Sequence, residues 1–390
     1  MTTIYLNALG LVCALGNNKA EVADHLFTGT SPGLIKTDRY SLGTTRYVGQ
    51  VNADLPGLAQ MPLEFQSKNN KLLALAAQQI TAEIDQMLSR YPMARVAIVL
   101  GTSTSGMAEG EQAIQSLLTV GNFPEDYHLA QQELGSSAHF LSEYLRLYCP
   151  NWVISTACTS SAKALATAAR LLTAGMFDLV LAGGVDTLCK FTMAGFHALG
   201  SLSIDRCQPF SKNRQGINIG EGAALFLMST LPSAVALIGW GESSDGYHIS
   251  APDPRAIGPV LAVQQALRRA KINANQLDYI NLHGTATQQN DAMEAKLVQQ
   301  IFPDVPVSST KPLTGHCLGA AGAIDAALTW LTLTEQAFYP PHIWDQVRDD
   351  TLPSLNFVQP GQRGVANIVM SNNFAFGGNN TSLIFKRTDV

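Results

Sequence analysis

Short apolar runs alternate along the chain with stretches whose apolar residues recur at helical spacing, and the alternation continues from end to end. Ile4-Tyr5-Leu6-Asn7-Ala8-Leu9-Gly10 reads as a strand and is followed by a helix around Glu21 to Phe27. Val235-Ala236-Leu237-Ile238-Gly239-Trp240-Gly241 repeats that opening, with its helix around Gly258 to Ala270. A second pairing sets Val96-Ala97-Ile98-Val99-Leu100-Gly101-Thr102-Ser103-Thr104 against Tyr279-Ile280-Asn281-Leu282-His283-Gly284-Thr285-Ala286-Thr287, so His283 takes the place of Leu100. Trp152 to Ala157, with the helix from Ser160 to Ala174, pairs with strand, loop and helix from Val307 to Leu333. Gly222 to Leu227 pairs with Asn380 to Phe385. The chain therefore reads as two diverged copies, residues 1–232 and 233–390, with a seam near Ser229 to Ser233.

The alternation predicts an α/β fold, and two helical stretches say where its centre lies. Ala162 to Ala174 and Ala323 to Leu333 are apolar on nearly every face, which suits helices buried between layers. A longer helix is expected from Leu72 to Leu88, opened by Lys68 and Lys71.

Candidate chemistry sits where strands end. Cys158 falls at the joint of an apolar strand and a helix rich in small residues that Gly175 closes. Free amides at that helix start favour thiolate over thiol, although the commoner fate of a cysteine is that of a small buried hydrophobe. His283 and His316 each stand just past a strand, where α/β folds gather their chemistry. Lys311 is a lone cation beside a Gly-rich apolar stretch, and Asp325 is a lone carboxylate among small apolar residues. Neither charge is expected to be buried unpaired, so the two are expected to share one polar network.

These motifs resemble the β-ketoacyl-[acyl-carrier-protein] synthases. The likeness rests on Ser-Thr-Ala-Cys158-Thr-Ser-Ser-Ala, His283-Gly-Thr-Ala-Thr, Lys311-x-x-x-Gly-His316-x-x-Gly-Ala-Ala-Gly and Asn372-Asn-Phe-Ala-Phe376-Gly-Gly-Asn, four motifs in order along the whole chain. The resemblance implies a thiolase fold, with two pseudo-twofold-related βα halves in five layers (α-β-α-β-α). It implies decarboxylative Claisen condensation between an acyl group on Cys158 and malonyl-acyl carrier protein, with His283 and His316 stabilising the enolate. It further implies an oxyanion hole from the N–H groups of Cys158 and Phe376, with Phe376 as a gate and Ala375 in place of the usual glycine.

In the same likeness, Thr285 and Thr287 line the phosphopantetheine tunnel, Lys68 and Lys71 meet the acidic carrier protein, and Thr104 and Phe196 border the acyl pocket. No cofactor of the enzyme's own is implied beyond the carrier's phosphopantetheine, apart from a structural monovalent cation in the Lys311–Asp325 network, where aspartate replaces the family's usual glutamate. A dimer is implied, either with a second copy or with a chain-length-factor-like ketosynthase. Pro209-Phe210-Ser211 and Arg214-Gln215-Gly216-Ile217 depart from the Pro-Phe-Asp and Arg-Asp-Gly-Phe of housekeeping elongation synthases. The departure is similar to type II secondary-metabolite systems, notably the aryl polyene branch.

Bulk properties narrow the field further. The net charge of −5 over 390 residues gives no electrostatic footprint for nucleic acid, and no apolar run is long enough to span a bilayer. Met1 to Leu15 lacks a basic start and reads as a strand rather than an export signal. Six cysteines without CxxC spacing fit a reduced, cytoplasmic setting with no zinc site. A thiolase would carry a second cysteine in the last Gly-rich loop, and residues 371–380 contain none. A silent chain-length partner would lack Cys158, and a cysteine hydrolase would not need two histidines and a lysine.

Overall fold

The computed structural model describes residues 2–41, 43–91, 93–335 and 337–389. The first half runs β1 (Ile4–Cys13), α1 (Lys19–Thr28), β2 (Leu34–Thr37), β3 (Arg46–Gly49), α2 (Lys68–Gln78), α3 (Thr81–Arg90), β4 (Val96–Gly101), α4 (Met107–Val120), α5 (Ser136–Tyr144), β5 (Asn151–Ile154), α6 (Ser160–Thr173), β6 (Leu179–Asp186), α7 (Lys190–Ala198) and β7 (Gly222–Ser229). The second half runs β8 (Val235–Ser244), α8 (Ile257–Ala270), β9 (Tyr279–Asn281), α9 (Gln288–Ile301), β10 (Val307–Ser308), α10 (Lys311–Thr314), α11 (Ala321–Glu335), β11 (Ile368–Phe374) and β12 (Asn379–Arg387).

Strand order shows the repeat directly. The sheet reads β5-β4-β6-β7-β1 and continues β8-β12-β11-β9-β10, so each half lists the corresponding strands in mirrored order about the seam. Only the pairs Ile4↔Leu237 and Tyr5↔Ala236 join β1 to β8, which leaves two five-stranded leaves hinged at one narrow contact. The helix expected from Leu72 to Leu88 is instead two helices, α2 and α3, broken between Gln78 and Thr81. Gln79 accounts for the interruption: its side chain turns inward to bond both the N–H and the carbonyl of Leu11 on β1.

Strands here read as nearly continuous apolar runs because both faces are covered. On β4, Ala97 and Val99 face the central layer while Ile98 and Leu100 face α2 and α5. On β7, Ala224, Phe226 and Met228 point inward and Ala223, Leu225 and Leu227 outward. In the second half, Leu383 and Phe385 of β12 point to the centre, and Ile384 points towards the layer of α8 and α9. The layers are therefore α2/α5, the first leaf, α6/α11, the second leaf and α8/α9, the five expected.

The central helices touch backbone to backbone. A Cβ on Gly322 of α11 would lie 2.5 Å from the amide nitrogen of Ala162 on α6, and one on Gly101 would lie 2.2 Å from that of Ser161. Small residues thus bring the start of α6, and with it Cys158, hard against both the end of β4 and the start of α11.

Candidate active site

Cys158 is placed by a tight elbow after β5. Ala157 adopts φ +52°, a left-handed conformation that costs a non-glycine residue of order 1–3 kcal/mol, and Ser160 locks the turn by accepting from the Thr156 N–H at 2.9 Å and donating to the Ala157 carbonyl at 2.6 Å. Cys158 is 6% exposed, and its sulfur stands 2.9 Å from Nε2 of His316. One ligand atom from each of Cys158, His283 and His316 lies within 4.8 Å of the others, and the two imidazoles meet edge to face at 5.3 Å and 82°. Residues 158 positions apart in the case of Cys158 and His316 are thus brought into one cavity.

Each imidazole is held by its backbone. The His316 N–H donates to the Asn218 carbonyl at 2.7 Å, and the Gly220 N–H donates to the His316 carbonyl at 2.9 Å. Gly315, at φ +68°, allows that approach, since a Cβ there would lie 2.9 Å from Gly220. The His283 loop is fixed from α9: Glu294 accepts the N–H groups of His283 and Gly284 at 2.8 and 2.7 Å, and Asp291 accepts those of Ala286 and Phe210 at 3.2 and 2.7 Å. Phe374 covers the ring of His283 at 6.1 Å, edge to face.

Dehydration dominates the electrostatics. Burial pushes the Cys158 thiol up to about 12, opposed by the charge of Lys311 and the N–H groups of Phe376 and Cys158 itself, and reinforced by Asp186. The thiolate expected from the helix start is therefore not the resting form. Burial, aided by Lys311, holds His316 down to about 3, and burial holds His283 well below its ordinary range, with smaller contributions from His316 and Lys311. A neutral thiol faces two neutral imidazoles. Burial therefore opposes charge on the sulfur, and the N–H groups of Phe376 and Cys158 itself oppose that effect.

Lys311 and Asp325 form a buried pair, with Nζ at 3.0 and 2.9 Å from the two carboxylate oxygens. Asn373 donates to the same carboxylate at 2.9 Å. The shorter aspartate side chain thus reaches the lysine with both oxygens. On the adjoining face of β9 and β11, Asn281 Oδ1, Ser371 Oγ and Asn373 Oδ1 are buried without a protein hydrogen-bond partner. Hard oxygen donors beside a carboxylate suit a Na⁺ or K⁺ ion.

The cavity in front of the sulfur has a volume of about 40 Å³. Thr285, Thr287, Phe196 and Phe376 are in its wall, with Ile217, Ser250 and Asn290. The two threonine hydroxyls are 3.0 Å apart, and the Phe196 and Phe376 rings lie 5.6 Å apart at 32°. The two rings pack against each other in that wall.

Two expected positions are placed differently. Thr104 is not in the cavity wall; its hydroxyl donates to Asp186 at 2.8 Å and receives the Thr187 N–H, which makes it a strut inside the core. Asp186 also accepts from Thr102, Ser103, the Thr104 N–H and Ala320, tying β4 and β6 to the turn that follows His316. Lys68 turns inward to Glu221, 2.6 Å away and fully buried, so its charge is committed inside the protein; Lys71 is half-buried beside it. Where acids were missing around Ser211 and Arg214, Asp345 and Asp349 arrive from far along the chain, bonding Ser211 at 2.8 Å and Arg214 at 2.6 Å. Asp291, Glu294 and Asp186 were not anticipated. The signal for the first two was acidic residues on the same helical face as Met293, Leu297 and Val298.

Comparison with known proteins gives one answer. The family model for the beta-ketoacyl synthase N-terminal domain matches residues 2–234, and that for the C-terminal domain matches residues 235–343. The chain is 30% identical to a 3-oxoacyl-[acyl-carrier-protein] synthase 2 of Coxiella burnetii, covering 98% of each. It is 28% identical to nodulation protein E of Rhizobium meliloti over 98% of this chain and 99% of that one. Among solved structures, the ketosynthase ApeO of Xenorhabdus doucetiae, in complex with its chain length factor ApeC, matches with a TM-score of 0.96 and 43% identity over 99% and 98% of the two chains. A beta-ketoacyl synthase from Burkholderia phymatum matches with a TM-score of 0.87 and 28% identity over the full length of both.

Proposed function

Because the chain belongs to the β-ketoacyl synthase family, we propose that it takes an acyl group from the phosphopantetheine of an acyl carrier protein onto Cys158 and extends it with malonyl-acyl carrier protein. The observation that carries this is the buried meeting of one sulfur with two neutral imidazoles, His316 Nε2 standing 2.9 Å from Sγ. The thioester carbonyl enters against the N–H groups of Cys158 and Phe376, the sulfur attacks as its proton passes to His316, and the carrier thiol leaves with a proton. In the second stage the malonyl thioester oxygen is bonded by His283 and His316 in their N–H forms. Carbon dioxide departs, the enolate carbon attacks the acyl carbon held on Cys158, and the C–S bond breaks, so that Cys158 leaves as thiolate and takes up one proton from solvent to restore the thiol. Uncharged imidazoles suit this step, because a buried neutral donor stabilises developing negative charge without an ion-pair desolvation cost at rest.

Residues 1–232 then act as the half that bears the nucleophile and 233–390 as the half that bears the imidazoles. Lys311 and Asp325 position the His316 turn, with a monovalent cation held by Asn281, Ser371 and Asn373 as a structural support. Thr285 and Thr287 hydrogen-bond the phosphopantetheine arm, and Phe376 swings from Phe196 to open the acyl space. The partner is acyl carrier protein, and the assembly is a dimer with a second copy or with a chain-length-factor-like ketosynthase. The likeness to ApeO, solved with its chain length factor, favours the heterodimer, and the departures at residues 209–217 favour the aryl polyene branch. Housekeeping fatty-acid elongation is the second reading, favoured by the Coxiella burnetii relative.

Intact-protein mass spectrometry tests this. Incubation with acyl-carrier proteins of several chain types should add the acyl mass at Cys158, and malonyl-carrier protein should then discharge it with release of CO2 and a ketoacyl-carrier product. A chain that loads and releases only free acid is a hydrolase, and the proposal fails.

A further inference from the structure

We propose that the Cys158–His283–His316 cluster is also a reversible inhibitory site for a soft divalent transition ion, Zn²⁺ above all, which occupies the unacylated enzyme and is excluded by acylation. The inference rests on the reading of Cys158 as the acyl acceptor, and concerns a regulatory ligand rather than a resident cofactor. Among the described residues this is the group of metal-ligating side chains that comes together, and all three members are buried.

The geometry is near what such an ion requires. Zn–S and Zn–N bonds of about 2.3 and about 2.0 Å at tetrahedral angles set the ligand atoms roughly 3.3–3.6 Å apart. Here the ligand atoms lie within 4.8 Å of one another, and the Sγ–Nε2 contact of 2.9 Å need only open slightly to admit the ion. One sulfur and two imidazole nitrogens with a fourth position free is a donor set for Zn²⁺ and its neighbours, not for Mg²⁺ or Ca²⁺. The cavity of about 40 Å³ has room for an ion with one water.

Binding balances without a co-reactant: Cys158–SH and M²⁺ give Cys158–S–M⁺, and the proton leaves to solvent, driven by the charge of the cation itself. The cationic Lys311 is met on both oxygens of Asp325, which limits its repulsion. Thr285, Thr287, Ser250 and Asn290 provide oxygen-lined access. A thioester on Cys158 removes the thiolate ligand and fills the same space, so acyl group and metal compete.

Titration of the full-length protein with Co²⁺, then competition with Zn²⁺, tests this without any carrier protein. The expected result is one equivalent bound, with a thiolate-to-metal charge-transfer band and proton release. Both are lost in Cys158→Ala and in Cys158→Ser, and affinity falls at least roughly tenfold in His283→Ala and in His316→Ala, the loss that even an outer-shell partner can cause. Alkylation of Cys158 with iodoacetamide abolishes the band. Equal binding by Cys158→Ala, whose circular dichroism shows it folded, or a band that survives alkylation, overturns the proposal. A protein that binds the ion at this site but accepts no acyl group leaves the metal site standing and removes the condensing function. One that condenses normally in the presence of Zn²⁺ and shows no band does the reverse.

Discussion

The two halves share one topology and differ in what they place at the strand ends and edges. In the first half, β4 ends in Gly101-Thr102 and β5 leads to Cys158; at the corresponding places of the second half, β9 ends beside His283 and β10 leads to Lys311 and His316. The outer strands differ too. β10 is covered by the chain at 356–358, where Val307 exchanges backbone hydrogen bonds with Asn356 and Val358. β5 pairs with β4 alone among the described residues, and all four of its residues are half-exposed. The central helices follow suit: α11 is buried on nearly every face, while α6 keeps Lys163 and Arg170 bonded outward to Asn379 and Glu242. One half therefore carries Cys158 and an open edge; the other is closed and carries His283, Lys311 and His316. A repeated fold can build one asymmetric site at its seam because the two halves place different residues at corresponding strand ends.

The sharpest break comes from the site itself. Cys158→Ala should abolish both acyl loading and condensation, a loss of at least ~10³-fold in turnover. His283→Ala should instead leave loading measurable and remove extension, since its backbone anchor on Glu294 is independent of its ring. Acyl mass on the protein and CO2 release separate the two; equal loss of loading in both variants would show that the halves do not divide the work. Next in size is Asp325→Ala, which leaves the Lys311 ammonium buried and unpaired, at a cost of about 3–5 kcal/mol. Chemical denaturation measures it, and Asp325→Asn, which keeps two hydrogen-bonding groups in place, should cost less.

Much of this was legible in the chain because periodicity and residue type pointed the same way. Apolar runs paired β1 with β8, β4 with β9, β5 with β10 and β7 with β12 before any coordinate, and the ends of those strands marked Cys158, His283 and His316. What the chain did not show are interactions whose partners lie far apart in sequence. Nothing in the order of residues shows that Lys68 pairs with the buried Glu221 or that the Thr104 hydroxyl bonds Asp186. The thiol–thiolate balance was missed for the same reason: the helix start is visible in sequence, but dehydration by the opposite half is not.

The closed half also concentrates pH sensitivity. Burial holds His316 and His342 down to about 3 and His283 well below 6.5, so between those values and 6.5 the unfolded chain binds more protons and stability rises with pH. Burial acts oppositely on Asp291, raised from 3.8 to about 6, and Glu294, raised from 4.5 to about 8. Each folded carboxyl keeps a proton that the unfolded chain has released, so stability falls as pH rises through those windows. The three imidazoles give an acid-labile contribution below about pH 6.5, at about 1.4 kcal/mol per pH unit for each unbalanced proton, while the raised carboxyls, to which burial adds Glu109 and Asp186 of the first half, oppose it and give a decline towards pH 8. Urea unfolding across this range checks the shape, and Glu294→Gln should flatten the alkaline limb. A smaller effect is expected at the open edge. Val153→Lys puts charge on β5 and should shift the protein, alone or with its partner chain, towards monomer in sedimentation velocity. Persistence of the full dimer would mean that assembly uses another face.

The smallest effect concerns carrier docking, and it separates two lysines one helical turn apart. Lys68 anchors Glu221, which also accepts the N–H groups of Val51 and Leu188, so removing it disturbs the core and cannot report on docking. Lys71 makes no such ion pair among the described residues, although its charge acts on the Glu109 carboxyl, and it is the cleaner probe. Lys71→Glu should raise KM for the carrier-bound substrate about threefold to tenfold at low salt, leave kcat unchanged, and lose most of that difference at high ionic strength, where exposed charges are screened. A change in kcat with KM intact would place Lys71 in the fold rather than at the surface. An unchanged KM at every salt concentration would move the docking face off α2 altogether.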